Sequence, residues 1–499
     1  MKIIDSSEMR AVEAAAVADG IPEFVLMKRA GSAAAELISS WMRRRNFCRI
    51  VFLCGGGNNA GDALVAATLL EGRYHISLWL SKPLETFQGA AALAAAELPE
   101  KLKSSTATDF DDLEIGPGDL IVDGMLGIGL AGEVRPDICE VIRRVNASRL
   151  PVIALDVPSG MDPDSGAGRC PGGEALHAAC TITFGLPKRG LFTPDGVRFS
   201  GTLVVADIGL AAHAQSSTVC EAYTDFEAID DLPRFDADTH KNRRGRLLVM
   251  AGSRRYPGAA ALATLAALRG GAGVVYSVVP AGTPLRAADA AIPAELPATG
   301  QGGFASAPDW RSFREPTTLV AGPGWGDDVP VFVLSEVLKF PGKLLLDADA
   351  LNLLARHPEI WPSRENVVLT PHPGEAERLR LAFGIPESGS RSEVAAALAA
   401  RLGAVVVLKG ARTVTADGAG KLTLNISGSP ALATAGSGDV LAGLIGAFLA
   451  NGMEASDAAQ LGVFIHGRAG ERCGRGCIAD DLPGEIAAVM KDLENGVFF

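Results

Sequence analysis

Thr434-Ala435-Gly436-Ser437-Gly438-Asp439 runs directly into an apolar stretch, Val440 to Ala450, that closes on Asn451-Gly452. The apolar run predicts a buried helix, and the small residues before it leave several backbone N–H groups open at its N-terminus, which makes an anion hole. An aspartate there would only repel a phosphate. Its useful role is as a base toward a hydroxyl that approaches the phosphate. The plainer reading of Asp439, a helix cap, accounts for one residue and leaves the glycines unexplained.

The pattern around this stretch is α/β. Apolar runs at Arg246–Ala251, Val274–Val279, Thr318–Ala321, Lys343–Leu346, Asn366–Leu369 and Ala404–Leu408 predict strands, with helices at Pro257–Arg269 and Glu375–Phe383 among them. Near-continuous Val/Ile/Leu strands separated by helices imply a parallel sheet covered on both faces. No GxxxxGK[ST] loop is present, so the phosphate grip must come from elsewhere. Lys409-Gly410-Ala411-Arg412-Thr413, at the end of the last of these strands, can supply it.

A first α/β run precedes this one, with strands expected at Arg49–Cys54, Tyr74–Leu80, Asp119–Asp123, Pro151–Leu155, Thr181–Phe184 and Gly201–Asp207. The alternation breaks at Ala211–Tyr223, a small and polar stretch with Gln215, Ser216 and Ser217. We therefore expect two unlike domains, 1–212 and 225–499, joined by a linker over 213–224. A chain of 499 residues suits two cores better than one. The net charge of −12 opposes a nucleic-acid or anionic-membrane surface, and no apolar run approaches the ~20 residues of a membrane span. Eight scattered cysteines without a CxxC pair and an N-terminus without an apolar signal core point to a cytoplasmic protein.

Three loops of the first half carry chemistry. The first strand ends in Gly55-Gly56-Gly57-Asn58-Asn59-Ala60-Gly61-Asp62, where glycines admit a ligand and the Asn and Asp side chains exceed what a turn needs. Asp123 is followed by Gly124-Met125-Leu126-Gly127-Ile128-Gly129-Leu130-Ala131-Gly132-Glu133. Gly127, Gly129 and Gly132 fit the dinucleotide fingerprint GxGxxG, which alone would suggest a NAD-dependent oxidoreductase. That fingerprint normally occupies the first strand–helix turn, here taken by the earlier loop. The third loop, Asp156-Val157-Pro158-Ser159-Gly160-Met161-Asp162, offers Asp156 as an acid/base at a strand end with no Lys or Arg close to it in sequence.

In this order and spacing the three loops resemble the NAD(P)HX epimerase domain, over about residues 1–212. The resemblance implies a Rossmann-like three-layer αβα fold, epimerisation of the R and S forms of the C6 hydrate of reduced nicotinamide nucleotides, and a bound potassium ion. It would place the substrate on Asn58 to Asp62 (Asn58, Asn59, Ala60, Gly61, Asp62), on Gly127 to Glu133 (Gly127, Ile128, Gly129, Leu130, Ala131, Gly132, Glu133) and on Asp156 at the reacting centre. Potassium would lie on Asn59, Asp123 and Ser159. Two positions depart from the family pattern: Ala60 stands where a glycine is usual, and Lys28 where Glu is frequent.

The second half resembles the ribokinase-like αβα fold. Gly252 to Ala260, Asp347-Ala348-Asp349-Ala350-Leu351-Asn352 and Thr370-Pro371-His372-Pro373-Gly374-Glu375 narrow this to the nucleotide-dependent NAD(P)H-hydrate dehydratase, over about residues 225–495. That family would place Ala259, Gly322 or Gly324, His372 and Asp439 at the hydrate. The adenine nucleotide would lie on Lys409, Gly410, Ala411, Arg412 and Thr413, with Gly436, Ser437 and Gly438 at its phosphates. ADP or ATP would be the co-substrate and Mg²⁺ would accompany its phosphates. The expectation is a bifunctional isomerase and lyase acting on NADHX and NADPHX, a homo-oligomer that binds neither nucleic acid nor membrane. The alternative is a small-molecule kinase of the ribokinase superfamily fused to a nucleotide-binding domain; a NAD oxidoreductase or a non-catalytic binder of nicotinamide nucleotides are further rivals.

Overall fold

A computed structural model describes residues 1–45, 47–130, 132–214, 220–236, 238–284, 288–313, 315–362, 364–387 and 390–496. The chain divides into two compact units, Met1–Thr218 and Val219–Phe499.

The N-terminal unit holds β1 (Arg49–Cys54), β2 (His75–Leu80), β3 (Thr106–Ala107), β4 (Asp119–Gly124), β5 (Val152–Leu155), β6 (Cys180–Phe184) and β7 (Thr202–Ala206). They form one seven-stranded sheet in the order β3-β2-β1-β4-β5-β6-β7, every pair parallel. Successive strand residues point to opposite faces, and β1 shows the consequence. Ile50, Phe52 and Cys54 pack into one apolar cluster with the helices Ser6–Ala18, Glu23–Arg45 and Asn58–Leu70. Val51 and Leu53 pack into another with the helix Pro136–Ser148. Both faces are covered, which is why the strands read as unbroken apolar runs.

The C-terminal unit holds β8 (Cys220–Tyr223), β9 (Arg246–Met250), β10 (Val274–Pro280), β11 (Ile292–Leu296), β12 (Thr318–Ala321), β13 (Lys343–Leu346), β14 (Val367–Leu369), β15 (Val405–Leu408), β16 (Val414–Ala416) and β17 (Leu422–Asn425). Their order is β11-β10-β9-β12-β13-β14-β15-β16-β17-β8. Only the pairs around β16 are antiparallel. The helices Pro257–Arg269 and Ser437–Ala450 meet closely because Gly443 lacks a side chain; a Cβ there would lie 2.1 Å from the Ala263 carbonyl oxygen.

The stretch 213–224, expected as a linker, is only partly one. Residues 215–219 lie outside the described residues, whereas Cys220–Tyr223 forms β8 and pairs in parallel with β17. At four residues, with Glu221 in it and a polar stretch before it, this strand has too little apolar pattern to stand out in the sequence. The strands at Ile292–Leu296, Val414–Ala416 and Leu422–Asn425 were missed for the same reason: they are short and lie at or near the sheet's edges.

One buried ion cluster ties the start of this unit to a late helix. Arg468, with no exposed surface, bonds Asp225 and Glu471, each at 2.8 Å. Removing one member of such a cluster leaves the others charged and buried. Arg468→Leu is expected to destabilise the C-terminal unit by about 3–5 kcal/mol at neutral pH, read by denaturant unfolding. The loss should shrink in acid as the two carboxylates protonate. A loss under about 1 kcal/mol would assign the cluster no more weight than a surface pair.

Candidate active sites

In the N-terminal unit the sheet order reverses direction between β1 and β4, and the crevice beyond their carboxyl ends is where such sheets bind ligands. A cavity of about 920 Å³ opens there. The turn after β1 and the loop after β4 touch because Gly55 has no side chain; a Cβ would stand 1.8 Å from the Met125 carbonyl oxygen. Asn58, Asn59 and Asp62 line the cavity with Gly127, Ile128, Gly129, Leu130, Glu133 and Asp156. Gly132 is exposed and does not line it, and Ala131 lies outside the described residues. Ala60 and Gly61 are buried in the helix Asn58–Leu70. Ala60 therefore has helical backbone, for which glycine is not required. Lys28 pairs with Glu97 at 2.8 Å, away from the cavity lining.

The fingerprint-like glycines do not open a helix: the next one begins at Pro136. The loop lacks the helix N-terminus on which a dinucleotide fingerprint seats its pyrophosphate, so the oxidoreductase reading loses its structural context.

Asp156 has a backbone φ of 64°, a conformation seldom held by a residue with a side chain. It also has a partner that sequence proximity concealed. The fully buried Lys188 ammonium bonds its carboxylate, and donates to Thr183 Oγ1 (3.2 Å) and the Phe184 carbonyl (2.9 Å). The Phe184 amide donates to the same carboxylate oxygen at 3.3 Å. Two further acids of the cavity lining, Asp62 and Glu13, hold their protons more tightly than usual. Burial, reinforced by Asp156 and Glu13, holds the Asp62 carboxyl well above the usual aspartate range. Burial also raises Glu13. Glu13 and Lys188 were absent from the sequence reading; Lys188 lies 32 residues after Asp156, beyond the reach of any local pattern.

Behind the cavity lies a knot of oxygen atoms. Asp123 is fully buried and accepts from Ser159 Oγ (2.6 Å), the Ser159 amide (2.8 Å) and the Met125 amide (3.1 Å). Burial pushes its carboxyl up to about 6, against the pull of those bonds. Asn59 Nδ2 donates to the Leu126 and Leu155 carbonyls at 2.9 and 3.0 Å, which leaves Asn59 Oδ1 buried without a donor.

In the C-terminal unit the corresponding reversal falls between β9 and β12. Gly436, at φ 89°, caps the helix Ser437–Ala450, so the Gly438 and Asp439 amides sit in its first turn, where N–H groups lack intrahelical partners. Lys409 Nζ lies 3.4 Å from where a side chain on Gly438 would begin. It bonds Asp347 Oδ1 at 2.7 Å. Burial, the nearby Asp347 and then Asp349 push the Asp439 carboxyl up to about 7, with Lys409 opposing. Burial works against the Lys409 charge, yet Asp347, Glu375 and Asp439 outweigh it and keep the ammonium protonated.

The other expected residues divide. Ala259 and Gly324 meet; a Cβ on Gly324 would stand 2.6 Å from Ala259 Cβ. Gly322 packs on the Asp347 carbonyl. His372 caps the helix Pro373–Ala382, its Nδ1 accepting from the Gly374 amide at 2.9 Å, while half of the ring stays exposed. Ser437 Oγ is bonded to His466 Nε2 at 3.2 Å, and burial lowers that histidine to about 4. Arg412 turns inward onto the Ile426 carbonyl and is buried, so its guanidinium builds the loop from inside. Thr413 Oγ1 donates to the Gly410 carbonyl at 2.9 Å. The loop's outer brace is Arg391, which donates to the carbonyls of Leu408 and Lys409, each at 3.1 Å, and of Ala411 at 2.7 Å. No local signal marked Arg391, since it lies 18 residues before Lys409.

Fold and sites together define a two-unit α/β protein, with a Rossmann-like unit that carries a paired carboxylate at its cavity and a second parallel α/β unit that sets Asp439 in the open first turn of a helix. Residues 247–489 match the family described as NAD(P)H-hydrate dehydratase, and residues 23–190 the family described as YjeF-related protein N-terminus. The bifunctional NAD(P)H-hydrate repair enzyme Nnr of Coxiella burnetii is 35% identical over 497 residues, 96% of this chain and 97% of that protein. Its namesake from Moorella thermoacetica is 34% identical over 527 residues, 100% of this chain and 98% of that protein. The chain belongs to the family of bifunctional NAD(P)H-hydrate repair enzymes. Among solved structures, an ADP/ATP-dependent NAD(P)H-hydrate dehydratase from Bacillus subtilis, co-crystallized with ATP/Mg²⁺, is 29% identical and covers 55% of this chain and 99% of that one, with a TM-score of 0.46.

Proposed function

We propose that this chain returns hydrated NADH and NADPH to their usable forms: the N-terminal unit interconverts the R and S hydrates, and the C-terminal unit dehydrates the S form at the expense of ADP or ATP. The observation that carries the reading is Asp439, an acid pushed up to about 7, beside the Gly436–Gly438 hole and the Lys409 ammonium. Hydroxide is a poor leaving group and phosphate a good one. Asp439 takes the proton from the C6 hydroxyl as that oxygen attacks the terminal phosphorus and displaces AMP from ADP, or ADP from ATP, with the Gly438 and Asp439 amides and Lys409 holding the developing charge. The ring nitrogen lone pair then expels phosphate, and loss of the C5 proton restores the dihydronicotinamide. In this reading Ala259, Gly322, Gly324 and the exposed edge of His372 seat the hydrate. Lys409, Gly410, Ala411 and Thr413 seat the nucleotide, while Arg412 supports that loop from beneath.

Mg²⁺ would come on the nucleotide's phosphates, as that ion commonly does.

Inversion at C6 requires a bond at that carbon to open and re-form while a proton leaves and returns. The Asp156–Lys188 pair can hold that proton at the cavity wall. Asn58, Asn59, Asp62, Gly127 to Leu130 and Glu133 would line the hydrate. Potassium would lie on Asn59, Asp123 and Ser159; the buried Asn59 Oδ1, which has no donor among the described residues, supports that placement, and the ion would neutralise Asp123 beneath the loop.

The test is a mixture of NADHX epimers with ADP or ATP, followed by recovery of reduced-nicotinamide absorbance. A kinase would instead accumulate a phosphorylated product, and no recovery with either nucleotide removes the reading. With potassium exchanged for choline, epimerisation is expected to fall; unchanged epimerisation would take potassium out of the proposal. Among the described residues no helix is long and apolar enough to cross a membrane. The proposal places the enzyme in the cytoplasm, where free thiols such as its eight cysteines persist, and expects it to act as a homo-oligomer.

A further inference from the structure

Three neighbouring parallel strands, β13, β14 and β15, lead at their carboxyl ends to Asp347, Thr370 and Lys409. Asp347 is 1% exposed, and its Oδ1 accepts from both Thr370 Oγ1 and Lys409 Nζ, each at 2.7 Å. The aim of this carboxylate is built into the backbone. The Asp347 amide donates to the Ala321 carbonyl at 3.1 Å, and Ala348 holds φ 48° with a side chain on it. That turn sends Asp349 the other way, to accept from the Gly326 amide at 2.9 Å. A lysine is a flexible stem that would otherwise sample many positions. Here its ammonium is anchored in front of the helix that begins at Ser437.

We infer that Asp347 is a positioning residue of the C-terminal site: through Lys409 it fixes where the nucleotide's terminal phosphate lies relative to Asp439. The inference rests on the nucleotide-dependent reading of that site. In this proposal Asp347 acts through Lys409 and not on the phosphate itself. Its charge has a second effect, since Asp347 and Asp349 both raise the proton affinity of Asp439 and Lys409 lowers it. Other charged groups on the packed elements are engaged elsewhere. Arg468 and Glu471 belong to the buried cluster with Asp225, and Lys343 bonds the carbonyls of Gly452 and Met453, past the far end of the helix Ser437–Ala450. Glu375 stands behind Lys409, and His466 is buried and neutral behind Ser437. Arg269 sits at the far end of its helix, next to Gly270, which packs on Ala447. Glu485 and Asp492 are engaged by Arg472, and Arg246 lies at the opposite end of β9.

The experiment uses the full chain and Asp347→Asn, which keeps an acceptor for Thr370 and removes the charge. Calorimetry with ADP and with ATP should show dissociation constants raised roughly tenfold, the scale of one charge-assisted hydrogen bond. The KM for the hydrate should stay unchanged, and the acid limb of kcat should move to lower pH. A residue that merely stabilised the fold would leave that limb in place. In a Lys409→Met background, Asp347→Asn should weaken nucleotide binding no further. Wild-type nucleotide affinity in folded Asp347→Asn, or additive losses in the double variant, would overturn the inference. If Asp347→Asn does not fold, Thr370→Val decides: a smaller loss of nucleotide affinity supports the anchor and no loss overturns it. Binding is read without turnover, so a wild-type chain that binds nucleotide yet recovers no reduced nicotinamide defeats the dehydratase reading alone. A wild-type chain that binds neither nucleotide defeats both.

Discussion

Replacing Asp439 with Asn is expected to lower nucleotide-dependent dehydration by ~10²–10⁴-fold, the contribution of a well-placed general base, while epimerisation by the separate N-terminal unit continues. Rates of absorbance recovery and of epimer interconversion, measured on one preparation, check both halves. Dehydration retained at the wild-type rate would remove Asp439 from the base role. The same substitution should stabilise the C-terminal unit, and the sign follows from linkage. The carboxyl is pushed up to about 7 in the fold against an ordinary value of 3.8. The folded state therefore binds the proton more tightly than the unfolded chain, and ionisation costs stability as pH rises from about 4 through 7. Asn carries no such cost. The variant's thermal transition should thus exceed the wild type's by a margin that grows over this window and levels off above it. The margin is on the order of a few kcal/mol at most, since the half-buried carboxyl keeps some contact with water. A base that is expensive to ionise is one matched to neutral pH.

The second large effect concerns Asp156 and Lys188. Asp156→Ala or Lys188→Met is expected to abolish epimerisation and leave dehydration of the S hydrate intact. In the mixed-epimer assay, absorbance would then recover only as far as the directly usable epimer allows. For Lys188→Met the loss has a distinct cause: the Asp156 carboxylate would lose its buried cationic partner at the cavity wall. If Lys188→Met epimerises like the wild type, the pair is structural and Asp156 works without it. If Asp156→Ala still draws down both epimers, the acid/base assignment moves to Asp62 or Glu13, the cavity acids whose proton affinity burial raises.

Much of this was open to reading in the chain itself. Arg49–Cys54, Thr318–Ala321 and Lys343–Leu346 are strands at the expected limits, because a strand buried on both faces must be apolar throughout. The loops that end β1, β4 and β5 line or underlie the cavity as expected, since in a parallel sheet all carboxyl ends lie on one edge. The glycines Gly127, Gly129 and Gly132 match a dinucleotide fingerprint only locally, because a short spacing pattern says nothing about where the next helix starts. The polar strand Cys220–Tyr223 looked like part of a linker, because its partner β17 lies about 200 residues later in the chain.

The sequence by itself determined what depends on neighbours along the chain: apolar periodicity, the two α/β runs, and the glycine-flanked Asp439 at a helix start. Only the tertiary structure decided the pairings that make those residues chemical groups. Lys188 reaches Asp156, and Lys409 reaches Asp347, because of strand order, which sequence spacing does not encode. Arg412, which local reading aimed at a nucleotide, turns inward because the Ile426 carbonyl needs a donor there. Burial completes the division. Whether a carboxyl such as Asp439 or Asp123 holds its proton near neutral pH is set by how much water the surrounding fold removes, and by which charges it brings near.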